Sequence, residues 1–148
     1  MELYGRLRIS ESNELPKTAS KFGKFIRENA DVFRRYFGVA LYPGSLNVDV
    51  AEPSSLQLDL DAGRPRPTIV IPRHELAAMP SYIGDGQAWP CALQCINMPS
   101  PVACWVFRRI GSRAPPGVIE LVAPPPRLVE MYQLHDGDPA FLRLTSET

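Results

Sequence analysis

Proline constrains the fold of this chain more than any other residue type. The sequence contains 16 prolines, roughly twice the average share for a protein of this length. Many stand in groups, at positions 65 and 67, 99 and 101, 115 and 116, and 124 to 126. Proline lacks a backbone donor and clashes with the preceding helical turn, so no helix passes through such a group. The spacing therefore predicts short strands that are joined by stiff loops.

Between the prolines, apolar residues repeat with the periods of strands and of one long helix. Residues 17–37 predict the helix, because an apolar stripe broken once by Asn29 recurs at three- and four-residue steps. The stripe consists of Phe22, Phe25, Ile26, Phe33 and Phe37. Residues 127–132 predict a second, short helix. Alternation or apolar runs predict strands at residues 3–9, 46–50, 56–60, 68–71, 88–98, 101–108, 118–122 and 140–144.

Six or more short strands without a strand–helix–strand rhythm predict a mainly β fold. The expected architecture is a small closed β-barrel of about six strands, with one long and one short helix. A parallel nucleotide-binding sheet is not expected, because the chain has neither a phosphate-binding P-loop nor a G-x-G-x-x-G motif. The length of 148 residues is typical of one domain, so residues 1–148 are predicted to form a single domain.

Charge and cysteine content limit the classes of function. Lys plus Arg equals Asp plus Glu, at 16 each, which argues against a general binder of nucleic acid or anionic membranes. The start of the chain has no apolar signal region, and no apolar run has the length of a membrane helix. The three cysteines, Cys91, Cys95 and Cys104, predict reduced thiols that pack as small hydrophobic groups. We expect a cytoplasmic protein without an obligate protein partner.

The strand at residues 46–50 and the residue before it carry a row of oxygen-bearing side chains. Ser45, Asn47 and Asp49 point to the same side of an extended chain, at steps of about 7 Å. Hydroxyl, amide and carboxylate oxygens are ligands that magnesium takes together with phosphate oxygens. An oxygen-rich face is also ordinary for a strand that faces water. The pattern fits both a metal site and a solvated surface.

Glu120 is the other conspicuous polar residue. It shares a strand face with Val118 and Val122, where a carboxylate either protects a sheet edge or belongs to a site. Ser112 and Arg113 precede that strand in a loop, and loops often carry binding residues.

Three segments resemble motifs of the archaeal CTP-dependent riboflavin kinases. Residues 42–48 (YPGSLNV) resemble the family motif Y-x-G-T-L-N, residues 117–124 (GVIELVAP) resemble I-I-E-I-I-A-P, and residues 134–138 (LHDGD) resemble L-K-D-G-D. The three stand in the family's order and at similar spacing.

The resemblance implies a cradle-loop β-barrel that transfers phosphate from CTP to the ribityl 5′-hydroxyl of riboflavin, giving FMN. It implies that Ser45 and Asn47 hold magnesium. Glu120 would lie beside the flavin and receive the hydroxyl proton, and Ser112 would contact the flavin. Arg127, with its neighbours at residues 125–128, would contact the cytidine nucleotide.

The chain departs from the family after its first strand. Residues 10–16 read SESNELP, where the family has a glycine-rich loop, G-x-G-E-G, that cradles the nucleotide phosphates. Without glycine a phosphate cannot approach the backbone closely, and two carboxylates would repel it. This favours a second hypothesis, a barrel that binds a flavin, nucleotide or other small ligand without kinase activity. A third hypothesis is an interaction protein that uses its proline-rich loops.

Overall fold

The computed structural model describes residues 1–9, 21–76, 84–111 and 117–145. They contain seven strands: β1 (Glu2–Arg8), β2 (Leu46–Val50), β3 (Ile69–Ile71), β4 (Gly86–Cys95), β5 (Val102–Arg109), β6 (Val118–Val122) and β7 (Pro139–Leu144). The helices are α1 (Lys21–Glu28), α2 (Ala30–Phe37), α3 (Pro53–Asp61) and α4 (Leu128–Met131), with a 3₁₀ turn at Arg73–Glu75. None of the helices in these ranges is long and apolar enough to cross a bilayer.

Six of the strands form a closed antiparallel barrel. They follow the order β4, β5, β6, β2, β1 and β7, and β7 pairs with β4 to close the ring. The long strand β4 pairs with β3 along its first residues and with β7 along its last five. The mainly β barrel of about six strands that the sequence predicts is therefore confirmed, with β3 as an additional strand.

Side chains that alternate along the strands fill the barrel interior. The most deeply buried of them are Val48, Trp89, Leu93 and Leu142, each 0% exposed. The three cysteines are free thiols in the same interior, as predicted. Gly5 lets β1 approach β2 closely, because a Cβ at this position would lie 2.3 Å from the carbonyl oxygen of Asp49.

Helices α1 and α2 cover part of the outer face of the barrel. Their apolar stripe packs on β3, β4, β5 and β6 in a second core: Phe25, Ile26, Phe33, Phe37, Leu41, Ile71, Leu76, Ala88, Phe107 and Val122. The stripe is confirmed from Phe25 to Phe37, whereas residues 17–20 and the side chain of Phe22 lie outside the described part. The predicted single helix is two helices that meet at Asn29, and α2 ends at Gly38 with a φ of 78°.

The predicted strand at residues 56–60 is wrong, because this segment is the helix α3. Leu56 and Leu60 stand one helical turn apart, and both are buried in the barrel core at 4% exposure. Leu58, between them, is 70% exposed. In a strand, alternation would place all three leucines on one face. In the helix only Leu56 and Leu60 face the core. Pro53 suits the first turn of a helix. The short helix predicted at residues 127–132 is confirmed as α4.

Candidate functional site

The motif at residues 42–47 forms a turn that leads into β2. The backbone N–H of Tyr42 donates to the carbonyl of Ala123, just beyond β6, at 2.8 Å. The N–H of Gly44 donates back to the carbonyl of Tyr42 at 2.8 Å, which tightens the turn. These bonds fix the entry of β2 against the end of β6.

Ser45, Asn47 and Asp49 lie on the outer side of β2, as the alternation predicts. Leu46, Val48 and Val50 are buried in the barrel, so the intervening side chains point outward. The hydroxyl of Ser45 donates to the amide oxygen Oδ1 of Asn47 at 3.2 Å. Two of the predicted oxygen ligands therefore stand within hydrogen-bonding distance of each other.

Glu120 lies directly opposite Asn47 in the β2–β6 ladder and directly opposite Phe107 in the β5–β6 ladder. Phe107 is buried beneath α2, where its ring meets Phe33 edge to face at 5.6 Å between centroids. Glu120 thus stands at the border of the helix-covered surface, and burial raises the pKa of its carboxyl to about 7. In the described part of the chain, no side chain or backbone group donates a hydrogen bond to this carboxyl.

Arg8, on β1, lies beside Asn47 on the side away from Glu120. The β1–β2 register places Arg8 opposite Asn47, and its Nε lies 3.1 Å from Oδ2 of Asp49. We call Arg8, Ser45, Asn47, Asp49 and Glu120 the β2 cluster. Sequence analysis missed Arg8, because alternation places it on an exposed face but does not reveal which strand lies beside β1.

The β2 cluster carries oxygen atoms of the kind that hard divalent cations take as ligands. Ser45 and Asn47 present adjacent oxygens, and Asp49 adds a carboxylate on the same face. Within the described ranges, no group of three or more His, Cys, Asp or Glu could hold a metal alone. Such a donor set suits magnesium, which keeps water ligands and is usually shared with substrate phosphates.

A groove runs beside the cluster, between the motif turn and the segment that follows β6. The groove is shallow, with a cavity volume of about 30 Å³ once the space that is open to solvent is left out. The lining residues are Tyr42, Gly44, Ser45, Leu46, Leu121, Ala123, Pro124, Pro126, Arg127, Leu128 and Val129. Ser45 and Arg127, which the resemblance assigns to metal and nucleotide, therefore border one groove. The Arg127 side chain is 10% exposed and pairs with Glu130 at 3.3 Å.

The turn at residues 136–138 holds the end of β1. The N–H of Ile9 donates to the Asp136 carboxylate at 2.8 Å, and the N–H of Leu7 donates to the carbonyl of Asp138 at 2.8 Å. Arg6 donates to the carbonyl of Gly137 at 3.0 Å. The third motif of the sequence therefore fixes the position of β1 beside β2.

Two other arginines form ion pairs outside the β2 cluster. Arg35 pairs with Glu75, and Arg108 pairs with Asp61 at 2.8 Å. Ser112, Arg113 and the glycine-free residues 10–16 lie outside the described residues.

Comparison with known proteins agrees with the motifs. No family model matches the chain. Over 112 residues, or 73% of its length, the chain is 33% identical to the riboflavin kinase of Sulfolobus acidocaldarius. The match covers 62% of that protein, so the chain spans less than two thirds of this relative. This chain is therefore similar in sequence to an archaeal riboflavin kinase over most of its own length.

Proposed function

We propose that this chain is a phosphotransferase of the riboflavin kinase type, which uses CTP to phosphorylate the ribityl 5′-hydroxyl of riboflavin and forms FMN. We also propose that residues 1–148 act as one domain. The similarity to the Sulfolobus enzyme supports the choice of acceptor. The observation that carries the proposal is the β2–β6 register, which sets Asn47, an oxygen ligand beside Ser45, directly opposite Glu120.

Glu120 is the proposed acceptor of the hydroxyl proton. A carboxyl with a pKa of about 7 is ionised in part at neutral pH and holds a captured proton better than an ordinary carboxylate. As the proton passes to Glu120, the ribityl oxygen forms a bond to the γ-phosphorus of CTP. The bond between that phosphorus and the β–γ bridging oxygen breaks, and CDP leaves with the electron pair.

Ser45 and Asn47 are the proposed holders of magnesium. Phosphoryl transfer depends on positioning and on neutralising the phosphate charge, and magnesium supplies that neutralisation when it is bound. The Ser45 hydroxyl keeps the Asn47 amide oxygen turned toward the motif turn, through the 3.2 Å contact between them. This contact would orient the ligand pair before the ion arrives.

The groove beside the motif turn is the proposed nucleotide site. Arg127 lines it together with Ser45, so a nucleotide bound there would meet a cation as well as a proposed magnesium ligand. Most of the lining is apolar, which suits a flat base better than a phosphate chain. Ser112 remains the proposed flavin contact.

The first experiment measures FMN formation by the purified protein with riboflavin, CTP and magnesium. We expect turnover with CTP, less with ATP, and none after magnesium is removed by a chelator. Asn47→Ala is expected to abolish turnover, because it removes a magnesium ligand, while the melting temperature changes little. Asn97→Ala changes an exposed asparagine in the β4–β5 turn, whose amide donates to the carbonyl of Tyr132 at 3.1 Å, and serves as the matched control because it also removes one side-chain hydrogen bond.

The outcomes separate the hypotheses. Full activity of Asn47→Ala would remove the magnesium assignment. Binding of riboflavin or CTP by the wild type without FMN formation would favour a ligand-binding barrel over a kinase. If the wild type binds neither compound, the kinase proposal is wrong.

A further inference from the structure

Arg8, at the end of β1, is the cationic member of the β2 cluster, and the proposed function gives it no role. Along β1 the outward side chains are Glu2, Tyr4, Arg6 and Arg8, and all four are exposed. Arg6 donates to the carbonyl of Gly137 and lies opposite Asp49. Arg8 is the last of the four and lies opposite Asn47.

Arg8 and Glu120 flank Asn47 from its two neighbouring strands. Directly opposed residues of antiparallel strands share a face, with Cβ atoms about 4.5–5.5 Å apart. The guanidinium of Arg8 contacts Asp49 in the structure, and from a Cβ this close it can turn to the space above Asn47, where a phosphate bound beside Ser45 and Asn47 would lie. An arginine fork suits phosphate oxygens, which it can bind through two parallel hydrogen bonds.

The present partner of Arg8 holds it weakly. The Arg8 and Asp49 side chains are 51% and 46% exposed, so water and salt screen their attraction. A polyphosphate carries more negative charge than one carboxylate and can compete for the same guanidinium. Without Arg8, the Asp49 carboxylate would lose its ion-pair partner and repel an approaching phosphate.

The segment that follows β1 makes a side-chain donor necessary. Phosphates are usually held by the backbone N–H groups of a glycine-rich loop or by Arg and Lys side chains. Residues 10–16 contain no glycine and two glutamates, so their sequence does not favour a backbone cradle.

We infer that Arg8 binds the phosphates of the nucleotide above Asn47, and thereby supplies the positive charge that residues 10–16 lack. This inference rests on the proposed function, because it assigns Arg8 to the phosphoryl donor of that reaction. Arg8 is accordingly a nucleotide-binding residue, and its loss should weaken the nucleotide rather than the flavin.

The test compares Arg8→Gln with Arg143→Gln. Arg143 is a matched control, because it is also an exposed strand arginine that pairs with a carboxylate across strands, Glu2 at 3.0 Å. Titration calorimetry with CTP and with inorganic tripolyphosphate, each with magnesium, gives the dissociation constants. We expect Arg8→Gln to raise both by about 10- to 100-fold, as for the loss of a charge-assisted hydrogen bond. The KM for riboflavin should not change, and Arg143→Gln should bind like the wild type.

The results distinguish this inference from the proposed function. Unchanged CTP and tripolyphosphate binding by a folded Arg8→Gln variant overturns the inference, whether or not the wild type makes FMN. A wild type that binds CTP but makes no FMN overturns the kinase proposal, while the two variants still decide the role of Arg8. A wild type that binds neither probe overturns both. If Arg8→Gln does not fold, Arg8→Lys takes its place, and wild-type affinity in that variant excludes a bidentate contact.

Discussion

The surroundings of Glu120 determine what its carboxyl group can do. On one side lies Phe107, which belongs to the helix-covered core, and on the other lies the polar Asn47. Burial on the apolar side disfavours the charged form, and no described donor offsets that cost. Its position therefore gives Glu120 a pKa that suits proton transfer. The same position lowers the stability of the folded protein at neutral pH.

Replacing Glu120 by Gln should change how stability depends on pH. Between about pH 4.5 and about 7 the folded protein holds this proton more tightly than the unfolded chain, so stability falls as pH rises through that range. Glu120→Gln cannot ionise, so at pH 8 it should unfold with a free energy higher by up to roughly 3 kcal/mol. At pH 4 the two proteins should be nearly equal. Urea unfolding at several pH values measures the difference.

Glu28→Gln, which alters an exposed carboxylate at the end of α1, is the control and should follow the wild-type profile. A Glu120→Gln variant with the wild-type dependence on pH would show that Glu120 is better solvated than its position indicates.

The cysteines illustrate packing without reactivity. Cys91 and Cys104 face each other across β4 and β5, and the hydrogen bond between their thiols together with burial raises the pKa of Cys104. Burial also raises the pKa of Cys95 to about 11. The thiols of Cys95 and Cys104 stay protonated at neutral pH, which agrees with their role as small core residues.

At the scale of elements, α3 is where local pattern and tertiary packing diverge. Its first and last turns place Leu56 and Leu60 against the barrel core, whereas Leu58 faces solvent. A period of two and a helical step of four both fit a leucine at every second position. Burial in the barrel core decides between them, because a helix can bury Leu56 and Leu60 while Leu58 stays exposed.

Alanine substitutions in α3 should separate the two conformations. Leu56→Ala and Leu60→Ala each remove a buried side chain, and each is expected to lower the free energy of unfolding by roughly 2–4 kcal/mol. Leu58→Ala changes an exposed position and should cost less than about 0.5 kcal/mol. Chemical denaturation of the three variants measures these differences, and similar losses in all three would indicate a strand.

The join between α1 and α2 is a second element that local pattern predicted only in part. The apolar stripe continues through Asn29, so the sequence predicts one helix. In the structure Asn29 is 2% exposed, and its side-chain amide donates to the carbonyl of Phe25 at 2.9 Å. The Phe25 carbonyl accepts from the backbone N–H of Asn29 as well, at 3.1 Å, and the break is a departure of Asn29 from helical angles, with a φ of −112° and a ψ of 23°.

At the scale of the whole molecule, closure of the barrel depends on contacts that are far apart in sequence. β1 pairs with β7 at the opposite end of the chain, and β4 pairs with β7 to complete the ring. Each of these pairings requires a long loop to close before any interaction stabilises it. The barrel is therefore complete only when both ends of the chain are in place.

This topology predicts slow folding. Proteins dominated by non-local strand pairs refold in about milliseconds to seconds, and we expect a main phase in that range. Trp89, which is 0% exposed, should report the transition through its fluorescence in stopped-flow dilution from denaturant. Circular dichroism should give the same rate. Complete refolding within about 100 μs would mean that the non-local strand pairs do not limit the rate.

Apart from residues 56–60, the sequence by itself determined which residues form strands, which helical stripe is buried and which side chains share the outer face of β2. These properties depend on spacing along the chain, so Ser45, Asn47 and the stripe from Phe25 to Phe37 follow from local periodicity alone. The metal and flavin roles implied by the family resemblance remain proposals. Ser45, Asn47 and Glu120 could be assigned these roles from the sequence because each lies within a short, continuous motif.

Only the tertiary structure decided how these pieces meet. Strand register brought Arg8 and Glu120 to the two sides of Asn47, although the three residues belong to segments far apart in the sequence. The helix-covered surface beside Phe107 raised the pKa of Glu120, and packing of Leu56 and Leu60 in the barrel core favoured a helix at α3. Pairing and burial depend on which distant segments come into contact, and the periodicity of a single segment carries no information about its partners.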